Sequence, residues 1–114
     1  MAVTKIKLDA DKFDKCQIEM VTAIIATIVG ELRKANLPDD QFKEIATGIA
    51  FHVCCVLDAS QVFDEDIFPV VTFQTDGTAD DEVITCGSAS YMHEYVHGLV
   101  KEWFQPKPKI GFDL

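Results

Sequence analysis

Basic residues are scarce in this chain. Its 114 residues hold 10 Lys and Arg against 19 Asp and Glu, a formal net charge of −9 at pH 7. That deficit argues against nucleic acid, whose phosphates would be repelled, and against anionic membrane surfaces. Between Asp58 and Glu82 basic residues are missing altogether, while Asp58, Asp64, Glu65, Asp66, Asp76, Asp80, Asp81 and Glu82 are present. Such a stretch reads either as solvated loops or as an attractor for a basic protein partner. A long apolar run is also missing. The most apolar one, Met20 to Gly30, has eleven residues, too few to span a bilayer. It follows Asp9, Asp11, Asp14 and Glu19, where a secretory signal would carry bases. The four cysteines, Cys16, Cys54, Cys55 and Cys86, form neither a C-x-x-C pair nor a zinc-finger spacing. They fit reduced thiols, so the expected location is the cytoplasm.

What the chain does have is apolar content, 48% by count, enough for a core without disulfides. No repeat, low-complexity tract or linker is visible. The expectation is one α+β domain over residues 1–105 and an extended tail over 106–114, introduced by Pro106 and Pro108. "VTKIKLD", residues 3–9, alternates, with Ile6 and Leu8 on one side and Lys5 and Lys7 on the other, and reads as a short strand. A helix should run from about residue 10 to Ala35 or Asn36, with a broad apolar face from Phe13 to Leu32. Pro38, Asp39 and Asp40 then start a second helix that continues to about Leu57. Its main face is expected to be Phe42, Ile45, Ala46, Ile49, Val53, Val56 and Leu57. Residues 68–75 ("FPVVTFQT") and 83–86 ("VITC"), joined by the Asp76-Gly77 turn, read as an antiparallel hairpin. Ser88 can cap a last helix that stops near Gln105. The expected order is (β)ααββα.

On the second helix Phe51 and Cys55 fall nearly opposite the main face, with Gly48 and His52 beside them. A helix apolar on two sides is either sandwiched in its own core or docked on another chain. The expected docking face for a homo-oligomer is therefore Gly48, Phe51, His52 and Cys55, with the C-terminal segment as the other candidate.

The last helix carries "HEYVH", residues 93–97. It satisfies H-E-x-x-H, the helix-borne motif of zinc peptidases. Histidines at i and i+4 share a helix face, so His93 and His97 are candidate zinc ligands. Glu94 would then act as general base on a metal-bound water. A catalytic zinc needs a third protein ligand, and only 17 residues follow His97. Glu102 points away on the same helix, Asp113 is in the tail, and His52 is an upstream possibility. The alternative uses the same helical wheel. Met92, Val96, Leu99, Val100 and Trp103 form a core face, with His93 and His97 at its edge as structural residues hydrogen-bonded to neighbours.

Two further signals are weaker. Cys86 stands just before a helix start, where the dipole favours thiolate. "DGTADDE" has four carboxylates but departs from the calcium-loop pattern. The leading expectation is a non-catalytic binding or assembly protein without a cofactor. A zinc-dependent hydrolase using HEYVH is the alternative.

Overall fold

The computed structural model describes residues 2–59 and 68–105. The 106–114 tail, including Asp113, lies outside the described residues, as does the acidic run from Asp64 to Asp66. Five elements carry the fold: strand β1 (Lys5–Leu8), helices α1 (Ala10–Leu32) and α2 (Asp39–Leu57), strand β2 (Glu82–Thr85) and helix α3 (Val96–Phe104). Short 3-10 turns occupy Arg33–Ala35 and Met92–Tyr95. No described helix is long and apolar enough to cross a membrane.

Asp9 starts α1 by accepting a hydrogen bond from the Lys12 N–H at 3.1 Å, satisfying one of the free first-turn donors. From there every fourth residue is buried: Phe13, Gln17, Val21, Ile25 and Val29. That seam meets a matching four-residue seam on α2, namely Phe42, Ala46, Ala50 and Cys54. Three of these four side chains are small, so α1 and α3 can approach α2 closely. Met92, Val96 and Val100 complete the shared core. Asn36 ends the turn after α1 in the left-handed region, φ 54°, which asparagine tolerates better than most residues.

This packing corrects the expected face of α2. Ile45, Ile49, Val53 and Val56 are not core residues but remain 39–41% exposed. The larger aliphatic side chains line the rim because the small ones occupy the line of closest approach. On α1, Met20, Ile24 and Ile28 are likewise only partly buried, packed against the edge of the core.

The expected antiparallel hairpin is contradicted. The sheet has two strands, β1 and β2, and they are parallel, with Lys5 opposite Glu82 and Leu8 opposite Thr85. The order is βααβα, and of the 68–75 segment only Phe73 pairs with β2, as an isolated antiparallel bridge to Ile84. Local hydrogen bonding explains why the ladder stops there. Its next rung would use the N–H and C=O of Glu82. The N–H donates instead to Ala79 O at 3.0 Å, and the C=O accepts from Gln74 Nε2 at 3.0 Å. The Thr75 N–H is taken by Thr78 Oγ1 at 2.8 Å. The turn satisfies its own groups, and β2 turns its other edge to β1. The parallel pairing is reached through the long α1–α2 crossover that parallel strands require.

The last helix also starts later than expected. Ser88 does not cap it; residues 92–95 form the 3-10 turn, and α-helix begins at Val96.

Candidate site at Asp58 and the histidines

The N-terminus of the last helical segment is capped from a distance. Asp58 follows α2 directly and is 4% exposed. Its carboxylate accepts from Ser90 Oγ at 2.6 Å, from the His93 N–H at 2.7 Å and from His93 Nδ1 at 2.6 Å. The Met92 N–H adds a further bond. A negative group at a helix start satisfies amides that lack an intrahelical partner and suits the helix dipole. Burial by itself would raise the Asp58 pKa. The hydrogen bonds from Ser90, from the His93 main chain and ring, and from Met92 outweigh it and hold the carboxyl below its ordinary value of 3.8.

The sign of the pH effect follows. The carboxyl is depressed in the folded state, so its stabilising contribution is fully present above pH 3.8 and is lost as pH falls through the lower folded value. Urea unfolding measured from pH 6 to pH 2.5 should show wild type losing more stability than Asp58→Asn across the acid end. Parallel curves would remove Asp58 from the acid transition.

A second carboxylate holds the same segment from the other side. Asp14 of α1 accepts a short hydrogen bond from Tyr95 Oη. Gln17, fully buried, accepts from the Tyr91 N–H at 2.7 Å through Oε1, and its Nε2 donates to Asp14 at 3.3 Å. Burial first, and then the Asp14 charge and hydrogen bond, push the Tyr95 phenol well above its usual range. A 3-10 turn advances about 120° per residue. Three consecutive residues of the motif therefore diverge: His93 toward α2, Glu94 into solvent and Tyr95 toward α1.

All three histidines surround one phenyl ring. The Phe51 centroid lies 5.8 Å from that of His52, 5.9 Å from His93 and 5.4 Å from His97. The His52 Nδ1 is bonded to Gly48 O at 2.7 Å, one turn back on α2. The His93 Nδ1 is committed to Asp58, which leaves Nε2 as the ring nitrogen not used by that contact. Among the described residues no group of three or more His, Cys, Asp or Glu side chains is arranged to hold a metal. What His93 and His97 share is an aromatic neighbour. His97 and Glu94 are exposed, and His93 retains 28% of its side-chain exposure.

The four residues expected to form a docking face separate into two pairs. Phe51 is half-buried against the last helix, and Cys55 is buried. Gly48 is half-exposed and His52 exposed, and by helical spacing they border Ile45 and Val56. Cys86 is half-buried with its sulfur 3.3 Å from Ser88 Oγ. None of the four cysteines forms a disulfide among the described residues. The Cys54 thiol is pushed up to about 11, by burial first and then by the Asp58 charge and Cys55, so it stays protonated and unreactive near neutral pH.

Asp58 was the residue that sequence reasoning missed. It reads as the first member of an acidic, solvated stretch, and its donors are 32 and 35 positions away. No family model matches the chain, and no curated protein or solved structure matches it either.

Proposed function

We propose that this chain is a non-catalytic cytoplasmic assembly protein that self-associates through the outer face of α1 and α2. One observation carries the reading: Ile45, Ile49, Val53 and Val56 form an aliphatic stripe along α2, each side chain about two-fifths exposed. Val53 also lines a shallow cavity of about 280 Å³ with Met20, Ala23, Ile24, Thr27 and Ile28 of α1, so the stripe continues across the helix pair. None of these residues is charged, on a chain with a net charge of −9. A neutral face on an acidic molecule suits a partner that brings the same neutral face, and a second copy does so.

Magnitudes set how much of the face must join. Complete burial of an aliphatic side chain is worth about 1.5–3 kcal/mol. The exposed two-fifths of the four α2 residues, on two copies, then amounts to roughly 5–10 kcal/mol. Association costs about 4–15 kcal/mol. The α2 stripe alone is marginal, and Met20, Ile24 and Ile28 of α1 must contribute. Light scattering at micromolar concentration should give a mass of at least two chains. Ile49→Glu, which buries a carboxylate in the contact, should return it to one chain with an unchanged circular dichroism spectrum. A wild-type mass of one chain would refute the reading.

One observation favours the zinc-dependent hydrolase as a second reading. A carboxylate on Nδ1 of a histidine is the arrangement that orients ligating imidazoles, and Asp58 provides it to His93. Under this reading His93 and His97 bind zinc, Glu94 is the base, and the third ligand comes from another chain or from outside the described residues. Metal analysis after expression in zinc-supplemented medium decides it. About one zinc per site, lost in His97→Ala, would support it, and a metal-free protein would end it.

A further inference from the structure

One titratable side chain stands inside the aliphatic stripe of α2. His52 follows Ile45 by seven residues and Ile49 by three, and precedes Val56 by four, so helical spacing sets it among them on the outer side. It is exposed, and its neighbours on the stripe, Ile45, Gly48, Ile49, Val53 and Val56, have no group that ionises. The His52 Nδ1 lies 2.7 Å from Gly48 O. A carbonyl oxygen only accepts, so Nδ1 carries the hydrogen and Nε2 is the basic nitrogen. Imidazole is the side chain whose charge changes between pH 5 and 8.

Each element packed near His52 contributes differently to the charge around it. Helix α1 turns Met20, Ala23, Ile24, Thr27 and Ile28 toward Val53, and none of these ionises. The last helical segment brings His93 and His97 against Phe51, the residue before His52. Glu94 and Lys101 of that segment are exposed, with Lys101 one turn beyond His97. Asp58 is buried and holds His93. On α2 itself Glu44 lies about two turns before His52, and Lys43 falls on the opposite side of the helix.

We infer, resting on the self-association proposed above, that His52 makes that association pH-dependent: copies join while the ring is neutral and part when Nε2 takes up a proton. In the joined state aliphatic side chains of both copies enclose the ring, and a charge there loses its hydration without gaining a partner. In the separated chain the ring stays in water. A proton therefore prefers the separated chain, so association is strongest at and above neutral pH and weakens as pH falls. Two copies meeting through the same face must shed two protons. Overall charge acts in the other direction. Protonating histidines makes a chain of net charge −9 less acidic, and its copies then repel less. Weakening in mild acid thus reports the contact and not the total charge.

The test is sedimentation velocity of the full chain over a concentration series at pH 7.5 and at pH 5.5. The wild-type dissociation constant should rise about a hundredfold at the lower pH, about tenfold for each of two imidazoles. His52→Gln and His52→Leu, neutral at both pH values, should change less than about threefold. His97→Gln should keep the wild-type response. Circular dichroism should be the same at both pH values, because pH 5.5 lies above the range in which Asp58 titrates. A wild-type mass of one chain at both pH values refutes self-association, and the switch with it. An oligomer equally stable at both, or tighter at pH 5.5, overturns the switch and leaves self-association standing. Tighter association would mean that His52 meets a carboxylate of the other copy. A full response in His52→Gln and His52→Leu also overturns the proposal, because the proton then belongs to another group.

Discussion

Asp58→Ala should cost about 3 kcal/mol of folding stability, a drop of more than a hundredfold in the folded-to-unfolded ratio. The estimate follows from what the carboxylate leaves behind. Ser90 Oγ, His93 Nδ1 and the His93 main-chain N–H all donate to it at 2.6–2.7 Å. Removing a buried acceptor strands its donors, and each stranded donor costs more than the net worth of the bond it made. The helix start also loses its capping charge, worth about 0.5–2 kcal/mol by itself. Asp58→Asn keeps the shape and one acceptor oxygen but turns an NH₂ toward donors, so an intermediate loss is expected. Urea denaturation at pH 7 measures both. If Asp58→Ala unfolds within 1 kcal/mol of wild type, the segment 90–95 is held by its apolar packing and not by this carboxylate.

Phe13→Ala should cost about 3–5 kcal/mol, the usual range for deleting a fully buried aromatic ring. Phe13 has no exposed surface. Its ring meets Phe73 edge-on at a centroid distance of 5.4 Å and lies 6.4 Å from Tyr91. Phe73 bridges to Ile84 of β2, so the ring also ties the sheet to α1. Amide hydrogen exchange should therefore accelerate first at Phe73 and Ile84, which hydrogen-bond each other at 2.7 and 3.1 Å. Phe13→Leu keeps most of the volume and should cost about 1–2 kcal/mol. A loss below 1.5 kcal/mol for Phe13→Ala, or exchange that rises uniformly, would contradict this tie.

Much of α1 and α2 could be read in advance because their signals are local. Pro38 as an entry and the apolar spacing of Val21, Ile25 and Val29 both act within one or two turns. The choice of buried face on α2 was not local. Ile45 and Ala46 are adjacent in sequence, about 100° apart within one broad apolar arc, and only the closeness of α1 and α3 decides that alanine goes inside. Gln17 makes the same point in reverse: a polar residue takes a core position because the Tyr91 N–H and Asp14 meet it there. The hairpin expectation failed for a related reason. Residues 68–75 have the composition of a strand, but composition does not reveal that Gln74 will occupy the Glu82 carbonyl.

"HEYVH" shows the limit within a single motif. H-E-x-x-H brings two imidazoles to one side of the segment, and both do meet the Phe51 ring. What the motif does not encode is the 3-10 turn over Met92–Tyr95, in which Asp58 holds His93 and Asp14 holds Tyr95. A 3-10 turn has no strong sequence signature, since it is set by the groups that cap and pull on it.

By itself the sequence determined what short-range chemistry controls: three helical segments, an acidic chain, a short N-terminal strand and the absence of a bilayer-length apolar run. The tertiary structure decided the partner of β2, the face α2 turns outward, and the use of Asp58 as a distant cap. Each of these depends on residues tens of positions apart competing for the same donor, acceptor or line of contact. Such competition is settled only when the helices have packed and the closest approach has gone to the smallest side chains.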